Sequence, residues 1–463
     1  MKYNKYSFLV LGLFALFATS CKKSFLPGLN VNPQGISNVP PNLLLSTTEA
    51  ALAYTQGGDL ARFSSLNTQQ TFGFSSQPQL YYQYSYNPGV FDNVWPNLYT
   101  STMENDKTLI RVSDATGNNV YSGISRILMG YALQITVDTW GKVPYSQAFQ
   151  GNTGGTFQPT YDDDKALYDT IASLIDNGIA NLNNPNKGNI LPGADDAIYG
   201  GSAAQWIKFG HAIKARLYIH QSKGNAAMAT SALAEIAASF TGNADNAQYV
   251  FGTSETAANP WYQFNEQRTG NITFSTSTLA NQLTSLNDPR YPIYIDAAND
   301  GAGAAGSGPT LHYGGLSPYY GGINSPVELI TYDELLFMKA EATLRATGSF
   351  AVAQGFYQAA ITANMQKLGV ATPAITTYVA ANGILPVTTT DAAIAKVAAQ
   401  EYIALYLNPE AWTTWRRTGS PVLVPVSGSA VPRRLYYPQS EYNYNAANVP
   451  ASTLFTPKIF WDN

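Results

Sequence analysis

The sequence predicts a mainly α protein: a tetratricopeptide-like scaffold of helix pairs carrying a large irregular, loop-rich layer and few short strands. Three observations lead there. Stretches with apolar residues three and four apart recur between residues 42 and 407, the period of a helix that buries one face. Several of them come two by two across joints of a few residues, as antiparallel helix pairs do. The segments left over, 57–100, 242–330 and 418–463, are rich in Gly, Pro and Tyr and too long to be plain connectors.

In chain order, NLLLSTTEAALAYTQ (42–56) is a first helix, and 121–141 places Ile124, Ile127, Leu128, Tyr131 and Ile135 on one buried face. The helix over 161–182 opens on Asp162, Asp163 and Asp164. Acids suit the positive end of a helix. A calcium loop would space its oxygen ligands and put a Gly at the turn, so these three read as a cap. Residues 203–222 align Trp206, Phe209, Ile213 and Leu217, and 226–240 follows a Gly-Asn joint. Helices over 332–346 and 351–369 pair across Thr-Gly-Ser; the 38 residues from Tyr332 to Gly369 approach the tetratricopeptide repeat of about 34. The last long helix covers 391–407. Beyond it Asn408-Pro409-Glu410 ends one helix and starts another. Trp412 and Trp415, three apart, share a face and pack. Arg416, Arg417, Arg433 and Arg434 are expected to fork onto Glu401, Glu410 or Glu441. Glu341 and Arg345, four apart, are expected to pair on a helix surface.

The N-terminus reads as an export signal. Lys2 and Lys5 precede an apolar run of 11 residues, Phe8 to Ala18, shorter than the roughly 20 a membrane-spanning helix needs. Ala18, Thr19 and Ser20 then lead to Cys21, the only cysteine. That is the pattern of a signal peptide (1–20) cut before a cysteine that takes a lipid. Lys22, Lys23, Pro27, Gly28, Pro33, Gly35 and Pro40 mark residues 21–40 as a lipidated tether; residues 41–463 are expected to form a single domain. One cysteine makes no disulfide framework.

Composition narrows the chemistry. The chain has 26 basic and 30 acidic residues, a net charge of −4 that becomes −6 without Lys2 and Lys5. This excludes a generally basic nucleic-acid binder. Charged residues make up 12%, against about a quarter in ordinary proteins, and Asn, Gln, Ser, Thr and 31 tyrosines take their place. Such side chains suit neutral hydroxylated ligands, whose C–H faces lie on rings while hydroxyls bond to amides and phenols. Three aromatic loops are the candidate sites: 79–95 with Tyr81, Tyr82 and Trp95; 259–271 with Trp261, Tyr262, Arg268 and Asn271; and 311–322 with Tyr313, Tyr319 and Tyr320. Each aromatic has a second reading as loop-to-scaffold packing, since aromatics dominate burial generally.

No enzyme motif is present. His211 and His220 stand nine apart on one helix and point differently, and there is no His-Glu-x-x-His and no Cys-rich metal spacing. There is no Gly-x-Ser-x-Gly elbow, and GAGAAGSG (301–308) lacks the Lys-Ser/Thr end of a phosphate-binding loop. No catalytic residue, metal or cofactor is expected, although the carboxylate pair of a glycosidase leaves no sequence signature.

Eight stretches then carry a resemblance: LNVNPQGIS (29–37), DTWGKVPYSQAF (138–149), QWIKFGHAIKARLYIH (205–220), LNDPR (286–290), ITYDELLFMKAEATLRATG (330–348), AQEYIALYLNPEAWTTWRRTGSPVL (399–423), VPRRLYYPQSEYNYNAANV (431–449) and TPKIFWD (456–462). In this order they resemble the SusD/RagB family of outer-membrane lipoproteins, with His211 where members usually carry Asn. The resemblance implies a tetratricopeptide-like fold, lipid anchoring in the outer membrane facing the cell exterior, and no bond-breaking. It implies a SusC-like TonB-dependent transporter as partner, over which the protein acts as a lid. The implied ligand is a glycan, with peptides as the alternative in the branch that includes RagB. It assigns no fixed glycan-contact positions.

Overall fold

The computed structural model describes residues 39–150, 154–184, 186–300 and 315–462. Cys21, the signal and nearly all of the tether, like Tyr313, His312 and the glycine-rich 301–308, lie outside the described residues. The long helices are α1 (Pro41–Thr55), α2 (Glu104–Thr116), α3 (Asn119–Trp140), α4 (Asp164–Asn183), α5 (Ala203–His220), α6 (Ala226–Ala237), α7 (Pro260–Gln267), α8 (Tyr332–Thr347), α9 (Phe350–Lys367), α10 (Thr372–Asn382), α11 (Thr390–Ala404) and α12 (Glu410–Thr418). Every long helix expected from periodicity is present, with ends within three residues of the expected ones. Helices α2, α7 and α10 are not among the expected ones. The first has Leu109, Ile110, Val112 and Ala115 as its apolar residues, α7 is eight residues within the 242–330 loop segment, and α10 is rich in Thr and Ala.

Each helix packs on the next. Helix α2 lies on α3, α3 on α4, α4 on α5, α5 on α6, α6 on α8 and α8 on α9, while α11 closes against α8 and α9. This is the stacked-pair arrangement of a helical-repeat scaffold. One contact shows how close the pairs come. A Cβ on Gly123 of α3 would stand 2.8 Å from the Gly178 carbonyl oxygen, and a Cβ on Gly178 of α4 would stand 2.8 Å from that of Gly123. Only two glycines let these backbones touch. Helix α3 departs from the expected single buried face. Ser122, Ser125, Gln134, Thr136 and Asp138 are buried along with its apolar stripe, because α1, α2, α4 and α5 surround it.

Strands are few, as expected. β1 (Phe72–Gly73) pairs antiparallel with β3 (Ile272–Thr273), Phe72 opposite Thr273. β2 (Ala247–Val250) pairs antiparallel with β4 (Pro326–Ile330), Ala247 opposite Ile330, with an irregularity between Ala247 and Gln248.

Of the acidic triplet, Asp163 is the cap of α4. Asp163 accepts from the backbone N–H of Lys165 and Ala166 at 3.1 and 3.4 Å. Asp162 accepts from Tyr145 and Ser146 N–H, both at 2.7 Å, and Asp164 from Phe460 N–H at 3.0 Å. Among the described residues no group of three His, Cys, Asp or Glu side chains is placed to hold a metal ion.

The arginine cluster is a structural network, but its partners differ from those expected. Arg417 forks onto Glu341 at 3.0 and 2.9 Å, and Glu401 is only marginally reached at 3.8 Å. Arg416 donates to the carbonyls of Asp138 and Arg433 at 2.7 and 2.8 Å, Arg434 to that of Trp140, and Arg433 pairs with Asp462. Glu410 instead meets His220 Nε2 at 2.8 Å, and Glu441 accepts from the Tyr161 hydroxyl at 2.7 Å. Glu341 does bond Arg345, at 2.7 Å, but not on the surface. Its side chain is fully buried because α8 lies inside the stack. Burial alone would raise the Glu341 carboxyl; the guanidiniums of Arg417 and Arg345 overcome it and lower it to about 2.

Replacing Arg417 by Ala leaves Glu341 and Glu401 buried beside an empty space. Breaking a buried pair from one side costs about 3–5 kcal/mol, so R417A is expected to lose that much in denaturant unfolding.

A second buried acid has the opposite sign. Glu49 of α1 is 1% exposed and accepts from Ala197 N–H at 2.8 Å. Burial, then the neighbouring Asp196, pushes its carboxyl up to about 10. An unfolded chain releases this proton above about pH 4.3, whereas the folded chain retains it. Stability therefore falls as pH rises through that interval. Glu49→Gln keeps an acceptor for Ala197 and cannot ionise. Its melting temperature should exceed that of the natural chain by more at pH 8 than at pH 5.

Candidate ligand-binding groove

The loop layer holds an open groove of about 1080 Å³, counting the solvent at its mouth. One wall comes from the turn before α2. Trp95 stacks on Tyr99 with ring centroids 4.6 Å apart, and Tyr99 stacks on Phe149 at 5.9 Å. Thr156, Phe157, Pro159 and Glu441 also line it.

The scaffold fixes this stack from behind. Trp95 meets Trp140, the last residue of α3, edge to face at 5.2 Å, and Tyr437 at 6.3 Å. The Tyr99 hydroxyl donates to the Pro144 carbonyl at 2.8 Å. Burial, then Glu441 and Tyr437, raises that phenol well above its ordinary value, so it stays a neutral donor. Phe149 has φ of +61°. A bulky residue seldom holds that conformation, which costs on the order of 1–3 kcal/mol. Here it swings the ring onto Tyr99, and Lys107 pins it from outside, its Nζ 5.3 Å from the ring centroid and 3.2 Å from the Phe149 carbonyl.

Tyr99 has Trp95 and Phe149 stacked against it. The open face belongs to Phe157, which is 83% exposed. Among the described residues, Asp92, Glu104 and Glu441 are the charged side chains of the lining, and none is basic. Asp92 accepts from Ser440 N–H at 2.9 Å. Partial burial raises the Glu104 carboxyl, against the pull of Lys107 and Arg111. The arrangement repels anions and suits a neutral or cationic ligand with apolar faces.

Of the aromatics singled out in the sequence, Trp95 is the one on this groove. Tyr81 is buried, stacked on Tyr86 at 5.0 Å and edge-on to Phe63 at 5.4 Å. Tyr82 is half-buried against Phe72. Trp261 is 3% exposed and packs on Phe264 and Phe274. Tyr262 is buried, its hydroxyl 3.2 Å from Glu255. Arg268 is exposed over the Phe264 ring, and Asn271 accepts from Ser75 Oγ at 2.8 Å. Tyr319 and Tyr320 are half-buried and join Trp261 around a slot that admits only water-sized occupants. Among the described residues the second and third loops thus meet at that slot, and the first contributes nothing to its lining. Tyr99, Phe149 and Phe157 were missed. Phe149 lies in DTWGKVPYSQAF, a stretch with no aromatic cluster of its own to mark it as a site.

A family model described as "Starch-binding associating with outer membrane" matches residues 33–438. The chain belongs to the SusD-like family. Solved structures agree on the fold of this SusD-like chain. A chitin-binding protein superposes with a TM-score of 0.77 at 23% identity, covering 92% of this chain and 100% of its own. A SusD/RagB family protein from Bacteroides thetaiotaomicron gives 0.74 at 22%, covering 92% and 99%. A chitin-binding SusD homologue from Flavobacterium johnsoniae gives 0.74 at 21%, covering 91% and 98%. No curated protein matches the chain.

The contrast between packed and open aromatics can be measured. Trp→Ala in a core costs about 3–5 kcal/mol, so W261A should lower the unfolding free energy by that amount. F157A removes an exposed ring and should leave it within about 0.5 kcal/mol.

Proposed function

We propose that this SusD-like protein is a binding protein, not an enzyme, that holds a neutral oligosaccharide in the Trp95–Tyr99–Phe149–Phe157 groove. The observation that carries the reading is the lining itself: an open Phe157 face, a rigid aromatic wall and acceptors, with no basic side chain among the described residues. Sugar C–H groups lie on the ring while hydroxyls donate to Glu104, Asp92 and Thr100. The family description and the two chitin-binding neighbours support a glycan, and N-acetylated sugars suit a site that takes neutral groups. In this reading residues 1–20 are a signal peptide, and lipid on Cys21 with the tether 21–40 holds the domain 41–463 at the outer membrane, facing outward. Among the described residues no helix is long and apolar enough to cross a membrane. The domain acts as the lid of a SusC-like TonB-dependent transporter, and the tether keeps the local concentration of the lid high. The acidic lining favours one second reading, capture of a basic peptide, as in a peptide-uptake lid.

Calorimetric titration of the purified full-length protein against chito-, malto-, cello- and xylo-oligosaccharides and a peptide digest separates the two. Heat is expected from one oligosaccharide series. F157A should weaken that binding about tenfold, the value of roughly 1.4 kcal/mol that one stacked ring can supply. Heat from the peptides alone would overturn the glycan reading.

A further inference from the structure

A second open groove, about 1200 Å³ with the solvent at its mouth, is lined in part by the same turn. Its floor is the outer face of α1, where Thr47, Ala50, Ala51 and Tyr54 present small or neutral side chains. Its far wall is the end of β2, where Tyr249 meets Phe251 edge-on at 5.0 Å. Tyr54 is 42% exposed, and its hydroxyl donates to Gln263 Oε1 at 3.1 Å. Gln263 is in turn held by its Nε2 bond to the Glu255 carbonyl at 3.0 Å. A ring and an amide are thus fixed together at the rim.

Among the described residues none of the lining side chains of this groove is charged, so it offers no ion-pair partner to a phosphate, a carboxylate or an ammonium. Aromatic edges, alanine floor and hydroxyl or amide groups match a neutral polyhydroxylated chain.

The two grooves share one lining element, the wide helical turn Asn97–Met103. Pro96, Thr100 and Glu104, four apart, face the first groove, and Asn97 and Ser101, also four apart, face the second. Residues four apart form a row along a helix, so two neighbouring rows of this one turn line the two grooves.

We infer that the second groove is a further subsite for the same neutral polymer. One extended chain would cross the Asn97–Met103 turn and occupy both grooves. This rests on the glycan reading of the first groove and adds to it that the ligand is a long chain. Two linked subsites bind a spanning ligand more tightly than either does alone.

The test is chain length. With the oligosaccharide series that binds, a hexamer is expected to bind at least tenfold more tightly than a dimer. Ala50→Trp fills the second groove from an outward helix face, and Tyr54→Ala opens its rim. Each should bring the hexamer to the affinity of the dimer and leave dimer binding and melting temperature unchanged. Using two variants of opposite bulk guards against one of them disturbing α1. Equal affinity for both lengths in the natural protein, or hexamer binding untouched by both variants, would overturn the second subsite and leave the first groove standing. Absence of binding by any neutral oligosaccharide would overturn both.

Discussion

The structure depends on a buried charge network at the junction of scaffold and loop layer. Arg216 of α5 forks onto Glu334 of α8, with Nε and Nη2 each 2.8 Å from a carboxylate oxygen, and Glu410 of α12 lies 3.6 Å from the same guanidinium. Glu410 also meets His220, whose other nitrogen faces the Tyr168 hydroxyl at 2.9 Å. Two turns on, Arg417 forks onto Glu341. All these groups are buried. Moving them out of water costs several kcal/mol per ion, returned only when the geometry is good. Two bidentate forks supply that geometry. A register shift of one residue between α5, α8 and α12 would strand the charges, so the network selects one packing of the stack.

That selection reaches the groove through α3. Its last turn carries Asp138, whose Oδ1 accepts from Trp461 Nε1 at 3.1 Å and from Tyr168, and Trp140, whose Nε1 donates to the Tyr436 carbonyl at 2.8 Å. Trp140 is the ring on which Trp95 rests. Gly141, at φ +77°, then turns the chain into the Pro144–Phe149 segment that forms the wall. The groove is thus built from loops, yet its aromatic wall is held by the end of a core helix. Loops that carry function on a rigid scaffold work this way. A wall held in place loses little freedom when a ligand arrives.

The helices were legible because a periodic apolar stripe has only one economical burial, and Trp206, Phe209, Ile213 and Leu217 are buried as their spacing demands. The groove was mostly not legible. Tyr81, Trp261 and Phe157 are chemically alike, and sequence position does not say which ring meets another ring and which meets solvent. Trp261 and Tyr262 stand beside Arg268 and Asn271 in a stretch with every group a sugar needs, but both rings are buried in packing. Phe157, with no aromatic beside it in sequence, is the exposed one. The partners of the arginines were illegible for a similar reason. Glu401, Glu410 and Glu441 were near in sequence, whereas Glu341, Asp462 and the carbonyls of Asp138 and Trp140 were near in space.

By itself, then, the sequence determined the helical scaffold, the scarcity of strands, the acidic cap of α4 and, through ordered motifs, the family. All of these follow from local rules: periodicity, capping and residue order. The tertiary structure alone decided which aromatics are walls and which are core, which carboxylate each guanidinium meets, and that two uncharged or acidic troughs share a single turn in their linings. Those outcomes depend on residues far apart in the chain arriving at one place, and on the burial that results.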